Sequence, residues 1–397
     1  VKIVVTGMGM VTPVGDTVAA TWASLLAARS GVGPIGRFDA STLPVRFAAE
    51  VAAQGDEDQA ALKLRLARTA LDEALAQSGA LPYLSERIGV CLGSEAARPE
   101  LSVIAQRLRS GTLPTLAEFE RGAPRAPTEL VARRLGASGP VSTVSTACTS
   151  SSQAVGEGVL RLRRCEVDAM VVGGVDALVD PMMVTGFSLL GALSTRNDDP
   201  QAASRPFDVS RDGFVLGEGA GMLVLEREDG ARARGAVILA ELRGWGCSCN
   251  AYRITDSPPD GRGAGQAMAA ALADAGLAPT DIGYINAHGT STPMNDPSET
   301  AGIHRAFGAA GSAVPVSSTK SMTGHLVAAC GAVEAIISVL AVREGIVPPT
   351  INLDSPDPSC ALRHVPHAPQ EHRVEHALTN AFGFGGSNGS LVVSRYR

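Results

Sequence analysis

Short apolar, β-branched runs alternate along this chain with stretches whose apolar residues fall at helical spacing. Residues 1–6 have strand density and end at Gly7-Met8-Gly9, a strand-to-turn signal. Residues 17–28 and 60–76 carry helix composition and spacing, and residues 87–92 read as a second short strand. From residue 96 to 137 the chain turns polar, with Pro99, Pro114, Pro124 and Pro127. Loops and short helices are expected there, a region suited to a cap over a site. Residues 141–145 form a strand candidate, and Ala154, Val155, Gly158, Val159 and Leu162 recur at helical spacing behind it. Residues 168–172 are a strongly apolar strand ending in Gly173-Gly174. Strands at 221–225 and 237–242 flank a charged turn at 226–235. A helix at 264–275 and strands at 282–286, 314–317, 378–381 and 391–394 complete the pattern.

Strands alternating with helices predict a layered α/β fold. The pattern approximately recurs, each half placing helices between short apolar strands and leaving polar chemistry at strand ends. An internal duplication is therefore expected, with its junction in the charged turn and halves spanning residues 1–230 and 231–397. The length, 397 residues, fits two to three domains or one large domain with two similar halves.

Composition narrows the function. Apolar residues make up 45% of the chain and charged residues 19%, which argues for extensive burial. The net charge of −6, with no sustained block of Lys and Arg, argues against a nucleic-acid partner. Seven scattered cysteines are too few for a disulfide scaffold, and Cys247-Ser248-Cys249 lacks a second pair at zinc-site spacing. Free thiols, an amino terminus that opens directly into a strand, and the lack of an uninterrupted membrane-length apolar run predict a soluble, cytoplasmic protein with no membrane association.

Three polar, glycine-flanked islands interrupt this hydrophobic chain. The first, Val144-Ser145-Thr146-Ala147-Cys148-Thr149, sets a cysteine between a strand and a helix start. Unpaired N–H groups and the helix dipole there favour a thiolate and an oxyanion. A lone buried cysteine is common, but the compact neighbours leave room for a thioester, so a nucleophile is the better reading. The second island places His288 after a strand and before Gly289-Thr290-Ser291-Thr292. The third carries Lys320 and, after Gly324, His325. A single histidine in either place would serve as a turn cap. The pair suits stabilisation of an enolate or thioester oxygen and proton exchange near neutral pH.

Other motifs fail their spacing tests. Lys320 does not follow a phosphate-loop glycine pattern, Gly7 and Gly9 lack the dinucleotide fingerprint, and the acidic run at residues 295–299 lacks calcium-loop periodicity. Asn380-Ala381-Phe382-Gly383-Phe384-Gly385-Gly386 suits a tight turn whose amides reach a ligand, with Phe384 placed to gate an apolar tunnel.

These islands, with Val4–Gly15, Leu193-Ser194-Thr195-Arg196-Asn197, Ser204-Arg205-Pro206-Phe207-Asp208 and Arg211–Gly221, resemble the elongating β-ketoacyl-acyl-carrier-protein synthases, condensing enzymes of the thiolase superfamily. The similarity runs nearly end to end. It implies a thiolase-like duplicated core in an α-β-α-β-α layering, normally dimeric. It implies Cys148 as nucleophile, His288 and His325 as the histidine pair, and Lys320 with acidic partner Glu334 among the catalytic residues. It also implies Phe384 as acyl gate, whose backbone N–H forms the oxyanion hole with that of Cys148. Thr290, Thr292, Ser151, Gln153 and Phe382 are the substrate-pocket candidates. The implied reaction is decarboxylative condensation of a Cys148-bound acyl group with a malonyl group. Both are delivered on the phosphopantetheine of acyl carrier protein, and neither metal nor bound cofactor is required.

Ser151 and Gln153 replace the glycine and histidine often found in fatty-acid elongating members, and the segment 94–100 lacks their glycine-rich run. Both departures point toward a specialised or polyketide pathway. The alternatives are a catalytic subunit that requires a chain-length partner in a heterodimer, a CoA-primed condensing enzyme, and, least favoured, a non-catalytic scaffold. A thiolase is disfavoured because Cys330 and Cys360 do not sit in its second-cysteine motif.

Overall fold

In the computed structural model, which describes residues 1–55, 57–99 and 101–397, the chain passes twice through one series of elements. The first pass comprises β1 (Ile3–Val11), α1 (Gln59–Ser78), β2 (Ile88–Gly93), α2 (Ala126–Leu135), β3 (Val141–Val144), α3 (Ser150–Arg163), β4 (Ala169–Asp176) and β5 (Gly219–Arg227). The second comprises β6 (Ala240–Cys249), α4 (Arg262–Ala275), β7 (Tyr284–Asn286), α5 (Asn295–Phe307), β8 (Pro315–Ser317), α6 (Cys330–Glu344), β9 (His376–Phe382) and β10 (Ser387–Ser394). Shorter helices and edge strands lie between them.

The strand orders match as well. The first half runs β3-β2-β4-β5-β1 and the second β8-β7-β9-β10-β6. In each, three parallel strands are followed by two antiparallel ones. The halves join through a short antiparallel pairing of β1 with β6 at Val4 and Val5.

Helix composition sets the layers. Helix α1 buries one stripe, Leu62, Leu66, Ala67, Ala70, Leu71 and Ala74, and covers the outer face of the first half. Helices α4 and α5 cover the second half in the same way. Helix α6 is buried from Cys330 to Val342, as an apolar helix without a polar face must be, and it packs with α3 between the two halves. The result is the expected α-β-α-β-α stack.

Several local expectations need correction. Strand β1 does not turn at Gly7-Met8-Gly9 but continues to Val11, because these glycines let α1 approach. A Cβ on Gly7 or Gly9 would run into the carbonyl oxygen of Ala74 or Ala70. The charged turn at 226–235 contains a short helix, Glu228–Ala233. Residues 295–299 form the start of α5 rather than a loop. In the polar region, Leu101–Ser110 and Leu116–Gly122 are helical, while Glu100, the last residue of the segment after Gly93 that lacks the glycine run, lies outside the described residues. Among the described residues, no helix is long and apolar enough to cross a membrane.

Candidate active site

The two passes bring their helix starts, α3 and α6, face to face at the centre of the molecule. After β3 the chain reaches Ala147 with φ at +52°, makes one 3-10 turn over Ala147–Thr149 and enters α3. That turn presents Cys148, buried, toward the second half. Gly324, at φ +66°, ends the turn Lys320–Thr323 and delivers His325, whose Nε2 lies 2.9 Å from Cys148 Sγ.

His288 leaves the end of β7 and is held through its main chain. Glu299 of α5 accepts the N–H groups of His288 at 2.8 Å and Gly289 at 2.7 Å, and Asn380 Nδ2 donates to the same carboxylate at 3.0 Å. The two imidazoles stand edge to face, 5.3 Å between centroids. Behind them, Lys320 and Glu334 form a fully buried ion pair. Sequence reading missed Glu299 and Asn380 as supports, although both lie inside segments it singled out. It also missed Cys330, whose thiol donates to the Cys148 carbonyl at 3.2 Å.

Burial dominates the electrostatics. It pushes the Cys148 thiol up to about 12, opposed by the Lys320 ammonium and by the main-chain N–H groups of Phe384 and Cys148, which reach the sulfur. Burial and then Lys320 hold His288 and His325 well below the ordinary histidine range. The site therefore rests at neutral pH as a thiol beside two neutral imidazoles. Burial likewise raises Glu334 to about 7 against the pull of Lys320, while Glu334 holds the Lys320 ammonium charged despite its own burial. The Nδ1 atom of each imidazole is buried with no hydrogen-bond partner, so for His325 the tautomer is set only by the Cys148 thiol at Nε2.

Aromatic rings enclose this centre. Phe384 stands in the turn between β9 and β10, allowed by Gly385 and Gly386 at φ +83° and +82°. Its ring is 6.4 Å from Phe187, which lies 5.3 Å from Phe214, which in turn lies 5.3 Å from the His325 ring. Phe382 packs 5.7 Å from His288 on the other side. Phe187 lies outside every motif singled out in the sequence, and Phe214 lies inside the Arg211–Gly221 motif without a role assigned to it there.

The remaining pocket candidates divide. Thr290 and Thr292, on the loop after His288, share a 3.0 Å hydroxyl contact. Gln153 Nε2 donates to Ser387 Oγ at 2.6 Å and so ties α3 to the strand after the Phe384 turn. Ser151 is fully buried in the α3–α6 contact, where its hydroxyl accepts the Ala332 N–H at 3.0 Å. A cavity of about 600 Å³ lined by Arg163, Arg243, Arg395 and Arg397 lies at the opposite end of β6 and β10 from Phe384 and plays no part here. The ligand atoms of Cys148, His288 and His325 lie within 4.8 Å of one another. Both imidazoles nevertheless lack the outer partner that a metal-bound histidine normally has, and Lys320 faces them, so the donor set suits proton transfer better than a metal.

Residues 1–231 match the family model described as "Beta-ketoacyl synthase, N-terminal domain", and residues 239–354 match the corresponding C-terminal domain. This chain belongs to the β-ketoacyl synthase family. It is 44% identical to 3-oxoacyl-[acyl-carrier-protein] synthase 2 of Vibrio cholerae serotype O1, over 99% of each chain. Among solved structures, it is similar to a type II polyketide synthase ketosynthase, bound to a hexaketide and in complex with its acyl-carrier protein. That match has a TM-score of 0.92 at 32% identity and covers 100% of this chain and 99% of that one. The ishigamide ketosynthase/chain length factor gives 0.91 at 33% identity, covering 100% and 99%. For this member of the family, the neutral Cys148–His325 contact is the local feature that a ketosynthase reading must use.

Proposed function

We propose that Cys148 carries the acyl group in a decarboxylative Claisen condensation, with His288 and His325 serving the malonyl half-reaction. The protein is a condensing enzyme acting on substrates linked to acyl carrier protein. The observation that carries the residue assignment is the 2.9 Å contact between His325 Nε2 and Cys148 Sγ, with His288 packed against His325.

In the first half-step the sulfur attacks the carrier thioester. Its proton passes to His325 and on to the departing phosphopantetheine thiol, and the carbonyl oxygen takes its charge beside the N–H groups of Cys148 and Phe384. In the second, malonyl-carrier loses CO2. The electrons of the broken C–C bond form an enolate held by His288 and His325. Its carbon attacks the Cys148 thioester to give a β-ketoacyl-carrier, expelling the sulfur as a thiolate that takes up a proton from solvent to restore the thiol. Neutral imidazoles serve both steps, because a free ring nitrogen can take the Cys148 proton and a ring N–H can donate to the enolate oxygen. Lys320 and Glu334 act as positioning residues behind the histidines, Phe384 as the gate, and Thr290 and Thr292 as contacts for the phosphopantetheine-borne substrate. Gln153 and Phe382 line the acyl side.

The division of labour follows the two halves, residues 1–230 supplying the nucleophile and 231–397 the histidines and gate. A dimer is supported by β3, which pairs on one side only and leaves Val141 43% exposed, and by the exposed Leu108, Leu113, Leu116 and Phe119. A second copy is the first candidate. A chain-length partner is the second reading, favoured by the likeness to a ketosynthase/chain length factor. The exposed free thiols Cys165, Cys247 and Cys249 fit a reducing cytoplasm.

Intact-mass analysis after exposure to acyl-carriers of graded length, then to malonyl-carrier, tests the reading. A Cys148 adduct discharged as a product two carbons longer is expected. An adduct that persists in Cys148→Ala, or none in the folded native chain with any donor, overturns it.

A further inference from the structure

The chain leaves β2 through Ser94, whose N–H bonds Val144 O at 3.0 Å, and this brings Glu95 beside the turn that carries Cys148. Glu95 Oε1 accepts the Ala147 N–H at 3.1 Å, and Oε2 accepts the Ser145 hydroxyl at 2.8 Å. The Ser150 hydroxyl lies 3.5 Å from the same carboxylate and donates to Ala147 O at 2.7 Å. Ala147 sits at φ +52°, a conformation that a side-chain-bearing residue keeps only when its surroundings hold it. Glu95 supplies that hold from both sides of the residue.

The opposite turn is held in the same manner. Val327 has φ +44°, and Asp176 at the end of β4 accepts the N–H of the next residue, Ala328, at 3.2 Å. Lys63 of α1, 3% exposed, joins the two: its ammonium donates to the Glu95 carbonyl oxygen and pairs with Asp176 Oδ1 at 3.1 Å. His325 stands two residues before Val327, so the Cys148–His325 contact lies between two turns that are each gripped by a carboxylate and tied by one buried lysine.

We propose that Glu95 is a positioning residue for the condensing reaction. By holding Ala147 and Ser145 it sets the direction in which Cys148 presents its sulfur to His325, and Lys63 registers this clamp against the one that Asp176 makes on the opposite turn. The proposal rests on Cys148 being the nucleophile. The charged groups that act on the thiol are Lys320 and, with opposite sign, Glu95, while the imidazoles of His288 and His325 and the thiol of Cys330 complete its surroundings. Glu334 faces Lys320, and Lys63 and Asp176 stand behind Glu95.

The full-length chain, Glu95→Gln and Glu95→Ala separate position from charge. Acyl transfer from acyl-carrier and iodoacetamide labelling of Cys148, mapped by peptide mass across pH, are the two readouts. Glu95→Ala loses about 10- to 100-fold in acyl transfer, the size of effect that misplacing a reacting atom produces. Glu95→Gln retains most of the transfer, because its amide oxygen takes the Ala147 N–H. Its labelling profile moves to lower pH, because a charge that disfavours the thiolate is gone. Undiminished transfer in Glu95→Ala, or a Glu95→Gln variant that falls with it while the labelling profile stays fixed, overturns the proposal. If Glu95→Ala does not fold, the Glu95→Gln profile decides alone. A native chain that takes up no acyl group on Cys148 sinks the nucleophile reading itself, which the variants' behaviour relative to native does not.

Discussion

The turn before α3 and the turn before α6 have one backbone and two chemistries. Each has a residue at positive φ, Ala147 or Val327, then a 3-10 turn, then a central helix. The residue after the strained position is Cys148 in the first half and Ala328 in the second. Two positions before it stand Ser145 and His325. Duplication thus supplied a pair of facing helix starts, and side-chain divergence made one the mount for Cys148 and the other the mount for His325. A thiol and an imidazole 177 residues apart meet because two copies of one fold pack against each other at their common helix.

Exchanging the chemistry of the two turns produces the largest effect. Cys148→Ala abolishes acyl-enzyme formation while leaving the fold intact. Adding Ala328→Cys to that variant does not restore it, since the first turn carries Ser145 where the second carries His325, so no imidazole reaches across to the second turn as His325 reaches across to the first. Acyl adducts on the double variant would break the asymmetry.

Next comes the split between the histidines. His288→Ala lowers malonyl-carrier decarboxylation by about 10²- to 10⁴-fold, the range of a lost acid–base group, and leaves Cys148 acylation nearly intact. Separate assays of CO2 release and acyl transfer check this, and equal loss in both would merge the two roles.

The ion pair behind the second turn is a matter of stability. Glu334→Ala leaves Lys320 buried and unpaired and costs about 3–5 kcal/mol, read from the denaturant midpoint. The Glu334 carboxyl is raised from 4.5 to about 7, chiefly by burial. The folded state then binds more protons than the unfolded one across that window, so this group's contribution to stability falls as pH rises through it. Glu334→Gln removes that slope, and an unchanged stability-versus-pH curve would count against it.

The smallest effect lies where the halves meet at the surface. Asp357 pairs with Arg211 at 2.7 Å and is held at about 2 by the Ser359 side chain first and Arg211 next. Being depressed, it contributes stability above its ordinary value of 3.8 that is lost as pH falls toward 2. The two side chains are only 6% and 20% exposed, but Arg211 also donates to the carbonyl oxygens of Thr292 and Asp208, which it keeps in the variant, so Asp357→Asn costs about 1 kcal/mol. A larger loss would show that the contact between halves matters more than the packing of α3 on α6.

The sequence by itself determined the chemistry and the sequence of elements. The cysteine, two histidines, lysine and glycine turn sit in local patterns that need only a few neighbours to be read. Strand and helix periodicities repeated closely enough to reveal two halves. Boundaries failed where long-range packing overruled local signals, as at Gly7 and Gly9, whose purpose is the approach of α1 rather than a turn. Tertiary structure alone decided which groups meet and in what protonation state. Burial drives Cys148, His288 and His325 to their neutral forms, and burial is a property of residues distant in the chain. It also placed the Ser151 hydroxyl in the contact between α3 and α6, and revealed the hydrogen bonds by which Glu299, with Asn380, and Glu95 hold the segments that carry His288 and Cys148. Such roles depend on hydrogen bonds between segments far apart in the chain, which no local spacing encodes.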